Sequence, residues 1–196
     1  MIVRTLLKLL LILLIAVTAS FLVFKTMHPP SNLLFENSDF EKGTLKNWQP
    51  TGAAFTSQPT LGDNPTKRGW NQPTHIQAQY WLGTFEQHPS AASPEGAAQN
   101  DLPVGTLTSA PFMIRKNKIA FLAGAGNGTP ETTISLVVNN NTVLTYTPNA
   151  ITLGNEAMSP VVWDVSHWLK QKATLEIRDQ GTGPWGHINA DDFHYE

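Results

Sequence analysis

The chain of 196 residues contains no cysteine. That excludes a disulfide framework, a thiol nucleophile, a zinc–thiolate site and an acylated lipoprotein cysteine. Charge is scarce too: Asp, Glu, Lys and Arg make up 14% of the residues, where soluble chains average about 25%. The 13 basic and 15 acidic residues leave a net charge of −2. Such a balance gives no basic footprint and excludes nucleic acid as a partner. Beyond Pro30 no stretch keeps a helical apolar period over several turns, so long amphipathic helices are excluded as well. What is plentiful is glycine and proline, 14 of each, and tryptophan, with 6. Low charge combined with many aromatics argues for a packed core and against disorder.

One long hydrophobic run exists. Leu9 to Phe24 carries no charge, Arg4 and Lys8 precede it, and Lys25 ends it. A positive segment ahead of an apolar one directs export and keeps the N-terminus inside. Sixteen residues at about 1.5 Å each reach ~24 Å, short of a ~30 Å hydrocarbon core. Starting at Leu6, with Lys8 snorkelling, closes the gap. The run continues past the Val17-Thr18-Ala19 cleavage pattern, so the expectation is an uncleaved signal-anchor, a transmembrane helix over residues 1–25. A signal peptide removed after Ala19, giving a secreted domain, is the alternative. Residues 26–31 read as a linker and 32–196 as one extracytoplasmic domain, periplasmic or at the cell surface. Setting aside Arg4, Lys8 and Lys25 leaves 10 of the 13 basic residues against 15 acidic ones, net −5. The domain should not cling to anionic membrane surfaces.

The exported part reads as all-β. Short apolar or alternating runs recur between turn residues: Ala53–Thr56, Gln79–Phe85, Val104–Ser109, Pro111–Ile114, Lys118–Gly124, Thr133–Val138, Thr142–Thr147, Val161–Trp163, Ala173–Arg178 and His187–Tyr195. Asn139-Asn140-Asn141 suits a hairpin, because asparagine tolerates the left-handed conformation. In Ala173–Arg178, Ala173, Leu175 and Ile177 alternate inward. Eight or more such strands predict a two-sheet sandwich. Two polar loops, about 57–77 and 86–102, are long enough to carry a binding surface.

Four patterns stand out: Asn37-Ser38-Asp39-Phe40-Glu41 leading to Asn47-Trp48; Leu61-Gly62-Asp63-Asn64 leading through Arg68-Gly69-Trp70 to Tyr80-Trp81-Leu82-Gly83-Thr84-Phe85-Glu86; Gly105-Thr106-Leu107-Thr108-Ser109-Ala110-Pro111-Phe112; and Trp185-Gly186-His187-Ile188-Asn189-Ala190-Asp191-Asp192. Together they resemble the jelly-roll carbohydrate-binding module appended to levanases and related fructan hydrolases, over essentially Asn32–Tyr195. Ser38 stands where a glycine is usual, Ala110 precedes the proline, and no catalytic domain accompanies the module in this chain. The resemblance implies a jelly-roll sandwich that binds a glycan, with fructans as the class it points to, and performs no chemistry.

A sugar presents hydroxyl pairs and an apolar face, which charged hydrogen-bonding groups and flat aromatics complement. Asp63, Arg68 and Glu86 lie in or beside the long loops and offer the first. They are also the best positional matches to the aspartate, arginine and glutamate with which the fructan-binding relatives engage a terminal sugar. Arg68→Ala should remove weak sugar binding with folding intact. The alternative for Arg68 is a surface ion pair worth little. Trp70 and Trp185 are the stacking candidates, with Tyr80 and Trp81 as further aromatics.

Glu41 in the first strand and Asp191 and Asp192 in the last suggest a structural calcium, which wants several oxygen ligands. The resemblance points the same way; the alternative has Asp192 bonded to backbone amides and Asp191 solvated. His187 reads as a structural histidine bonded to neighbouring backbone. Alternation along the last strand should turn His187 and His194 to opposite sides. Gly124–Gly128 lacks the ending of a phosphate loop. The rival reading is an envelope structural or adhesion protein using the sandwich to bind a protein partner. An enzyme would need two carboxylates facing each other across a cleft.

Overall fold

The computed structural model describes residues 32–70, 72–149 and 155–196. The expected anchor (1–25) and linker (26–31) lie outside them. Among the described residues no helix is long and apolar enough to cross a membrane. Leu33–Glu196 packs as one unit, built from strands β1 (Trp48–Gly52), β2 (Thr60–Leu61), β3 (Tyr80–Gly83), β4 (Gly105–Ser109), β5 (Phe112–Met113), β6 (Lys118–Ala125), β7 (Thr132–Val138), β8 (Asn141–Tyr146), β9 (Ser159–Asp164), β10 (Lys172–Asp179) and β11 (Ile188–Tyr195), with one helical turn, α1 (Asn64–Lys67).

The strands form two antiparallel sheets, ordered β1-β4-β10-β7-β8, with β5 also on β10, and β2-β3-β11-β6-β9. The all-β two-sheet sandwich of the sequence reading is therefore the observed fold. Ala173, Leu175 and Ile177 face inward as expected, against Ile134, Leu136 and Val138 of β7 and Phe121, Phe193 and Ile188 of the facing sheet. Each large side chain so buried contributes roughly 1.5–3 kcal/mol. Phe121 stacks on Phe193 at 5.0 Å, and Trp48 sits 5.1 Å from Phe40, which draws the turn before β1 into the core. Asn139 and Asn140 both take positive φ, 50° and 63°, in the β7–β8 turn, the hairpin geometry that the asparagines favour.

Three expectations are corrected. Ala53–Thr56 is a turn, and the first strand is β1. Glu41 lies in the turn region ahead of β1 rather than in a strand. His187 and His194 share a face. The β6–β11 register shifts between Asp191 and His194, and Asp192 adopts φ 54°. Such a bulge adds one residue and reverses the alternation beyond it. Ile188 and Ala190 before it, and Phe193 and Tyr195 after it, all reach the core.

The outer face of the β2-β3-β11-β6-β9 sheet is covered by the long loops. Asn189 pairs with Gly83 on one side and Gly124 on the other. A Cβ on Gly83 would lie 2.4 Å from the Trp81 ring, and one on Gly124 would lie 2.6 Å from the Ala157 carbonyl. The two glycines thus let Trp81 and the 155–158 segment lie directly on the sheet. Trp81, fully buried, donates its indole N–H to Gly62 O at 2.8 Å, so it anchors a loop and is not available for stacking.

Candidate functional site

The site is assembled in this loop cover, beginning with α1. Its C-terminus carries paired backbone bonds, Gly69 N to Thr66 O at 3.0 Å and Trp70 N to Pro65 O at 3.1 Å. Gly69 supplies the left-handed residue, φ 90°. This is a Schellman ending, and it folds Trp70 back over its neighbour: the Arg68 Cζ lies 4.2 Å from the Trp70 ring centre and 5.0 Å from that of Phe85. Trp70 remains 38% exposed.

Arg68 grips Glu86 with both arms, Nη1 to Oε2 at 2.9 Å and Nη2 to Oε1 at 2.7 Å. The pair is buried: the side chains are 16% and 1% exposed. Asn64 also donates to Glu86, and its Oδ1 accepts from Gly96 N at 2.6 Å. Gly96 packs against the Arg68 backbone. The Arg68 Nε is buried and without a hydrogen-bond partner. The structure therefore joins Arg68 to Glu86, but the surface-pair alternative does not describe them. Asp63 goes elsewhere. Its Oδ1 accepts from the Thr74 hydroxyl at 2.6 Å and its Oδ2 from Thr66 at 2.8 Å. It lines a separate cavity of about 200 Å³ with Lys67, His88 and Glu95.

Next to this pair stands a second polar cluster. His187 Nδ1 bonds Asp101, and its Nε2 lies 3.3 Å from Glu156 Oε2. Asn189 donates to the same Glu156 Oε2 at 2.9 Å. His187 is thus held by side chains of two loops, not by neighbouring backbone as expected. Burial lowers its pKa, but the bonds to Asp101 and Glu156 outweigh this and raise it to about 9, so the ring is an imidazolium at neutral pH. Glu156 Oε1 and Asn189 Oδ1 are buried without hydrogen-bond partners. Rings link the two clusters: Trp70 to Phe85 at 5.6 Å, Phe85 to His187 at 4.9 Å, and His187 to Trp185 at 5.5 Å.

Sequence reasoning found Arg68, Glu86, Trp70 and Trp185. It missed Phe85, Asp101, Glu156 and Asn189 as members of this cluster. Asp101 and Glu156 lie in loops, where no spacing rule marks them. Asp179, placed beside His187 only by a metal or catalytic reading that the spacing does not fit, lies where the β10 alternation runs. It faces inward, and burial pushes its carboxyl up to about 7 against a hydrogen bond from Thr84.

At the other end of β11, Glu41 Oε1 accepts the N–H groups of Gln79 and Tyr80 at 3.0 and 2.8 Å. Asp191 Oδ2 accepts that of Gln77 at 2.8 Å. Asp191 is fully buried, not solvated. Burial foremost, opposed by the backbone N–H groups of Gln77 and Asp192 and reinforced by the charges of Asp192 and Glu41, raises its pKa to about 8. Asp192 turns away, its carboxylate 3.2 Å from His194 Nδ1. Among the described residues no group of three His, Cys, Asp or Glu side chains could hold a metal ion.

No family model matches the chain. Its sequence is 34% identical over 164 residues to a protein of Aspergillus rugulosus named as a glycosyl hydrolase, ecdE. The match covers 83% of this chain and 21% of that protein, so the chain spans about a fifth of the relative's length. Among solved structures, TmCBM61 in complex with β-1,4-galactotriose aligns with a TM-score of 0.48 and 14% identity, covering 84% of this chain and 99% of that one. The K1 adhesin domain of Lys-gingipain from Porphyromonas gingivalis aligns at 0.44 with 15% identity, over 81% and 95% of the two chains. A family 35 carbohydrate-binding module from an environmental isolate aligns at 0.34 with 13% identity, over 57% and 79%.

Proposed function

We propose that this domain binds a glycan without transforming it, on the face where Trp70, Arg68, Phe85 and Trp185 meet. The observation that carries the reading is the Arg68 arrangement. A guanidinium fixed by a buried carboxylate, its side chain still 16% exposed, lies under a partly exposed tryptophan. Directional donors beside a flat apolar surface are what a sugar ring requires. The carboxylates of the site have structural employment. Glu86 serves Arg68 and Asn64, while Asp101 and Glu156 hold His187. Glycoside hydrolysis instead asks for two carboxyl groups roughly 5–9.5 Å apart across the scissile bond. The relative's name supports sugar as the class of ligand. Fructans head the classes to test, on the strength of the motifs. The tether through residues 1–25, with the domain outside the cytoplasm, belongs to the same proposal and is supported by the flanking Arg4, Lys8 and Lys25.

Calcium is proposed as a structural cofactor in a reduced form. Glu41 and Asp191 would be its two carboxylate ligands, exchanging for the ion the backbone N–H groups of Gln77, Gln79, Tyr80 and Asp192 that they now accept. Asp192, engaged by His194, is not a third. Backbone carbonyls and water would supply the remaining oxygens. A chelator should then lower the melting temperature, and added calcium should restore it. An unchanged melt contradicts the calcium assignment.

The binding reading is tested with a glycan array of fructans, plant glycans and bacterial glycans, probed with the full chain and with Trp70→Ala. Wild type should bind at least one class. Trp70→Ala should lose at least tenfold in affinity while remaining folded, with a modestly lower melting temperature from the lost contacts to Arg68 and Phe85. Wild type binding nothing would overturn the reading.

A further inference from the structure

We infer that the site is extended, with two sugar subsites along one row of rings, so that it takes an oligosaccharide rather than a single terminal unit. This rests on the glycan reading above. Trp70, Phe85, His187 and Trp185 follow one another at centroid spacings of 4.9 to 5.6 Å, the size of one sugar ring. None of the four belongs to the sandwich core, so core packing does not explain them. Exposure varies along the row. Trp70 is open, Phe85 and Trp185 are half-buried, and His187 lies beneath at 3%.

Each end of the row has its own polar fixture. Arg68, held by Glu86 with its side chain 16% exposed, accompanies Trp70; Asp101, with a side chain 22% exposed, accompanies Trp185 through His187. An aromatic beside a fixed charged group is the minimal sugar subsite, and here the pairing occurs twice with Phe85 between. The rings are mutually tilted by 34° to 54°, which suits a twisted chain better than a flat one.

A separate observation singles out Trp185. It is held at φ 59°, a conformation costly for a bulky residue. The turn that imposes it is closed by Gly181 and Gly186, each too close to the other to carry a Cβ. Strain of this kind persists where surrounding structure enforces it, and it aims the indole at the row.

The test is calorimetric titration of the full chain with fructose and levan-type oligosaccharides of two, three and five units. A β-1,4-linked galactose, glucose and xylose set of the same lengths runs beside it. Affinity should rise at least tenfold from one unit to three and then level off. Trp185→Ala should erase the rise with length, while Trp185→Phe retains part of it. Trp70→Ala should weaken every length. Equal affinity for one and three units, or a rise that survives in Trp185→Ala, overturns the two-subsite inference and leaves glycan binding standing. Binding at no length overturns both. The wild-type length series decides the matter even if Trp185→Ala fails to fold.

Discussion

Replacing Arg68 by alanine should lower folding stability by about 3–5 kcal/mol, the cost of stranding a buried charge. An exposed ion pair would contribute only about 0.2–1 kcal/mol. The difference follows from burial. Glu86 is closed to solvent and accepts from both arms of the guanidinium, so its charge has no water to fall back on. The sequence reading, in which Arg68→Ala removes binding and spares the fold, is corrected on this ground. Adding Glu86→Gln should recover much of the loss, because a neutral amide still offers an oxygen to Asn64. The two changes share one interaction and will not add. Urea denaturation of the single and double variants measures this. A single-variant loss below about 1 kcal/mol would mean that the pair behaves as a surface contact.

Stability should also fall as pH rises from about 6.5 to 9, and His187 should be a principal cause. Its folded-state pKa of about 9 lies above the free value of 6.5. The contribution is therefore complete below pH 6.5 and disappears as pH rises through about 9. A shift of this size corresponds to roughly 3 kcal/mol at most. Asp179 and Asp191, raised to about 7 and about 8, depress stability over a lower range, as pH climbs from about 4 to 8. Between about pH 8 and 9 His187 still loses charge while the two aspartates are largely ionised, and the His187→Gln comparison separates its share from that of His194, whose pKa is also raised. Thermal melts across that range should show a steep decline in wild type and a smaller slope in His187→Gln. A wild-type melting temperature constant from about pH 8 to 9 would contradict the charged Asp101–His187–Glu156 arrangement.

The sandwich was legible because the side chains of half-buried strands keep a period of two. Ala173, Leu175 and Ile177 announced β10, and three asparagines announced the β7–β8 turn. The bulge after Asp191 was not legible: one inserted residue leaves no local mark, yet it decides where His194 points. Arg68-Gly69-Trp70 was legible only as part of a polar loop; that Gly69 closes a helical turn and folds Trp70 back is shown by the backbone bonds alone. The partners of those residues were not legible. Asp63 and Glu86 are both acidic and both adjoin the loops, and only the folded chain shows that Asp63 ties Thr66 to Thr74 while Glu86 receives the guanidinium. Asp101 and Glu156 reach His187 from segments 86 and 31 residues away, beyond the reach of any local pattern.

The central claim is that the domain captures a glycan and leaves it unchanged. The most direct measurement is a calorimetric titration of the full chain with the best-binding oligosaccharide of the array, followed by chromatography of the recovered sugar. The account predicts heat that saturates at one oligosaccharide per chain, a signal at least tenfold weaker in affinity for Trp70→Ala, and sugar recovered intact. Heat that continues at a constant rate with shortened sugar in the cell would contradict it, and so would the absence of saturable heat.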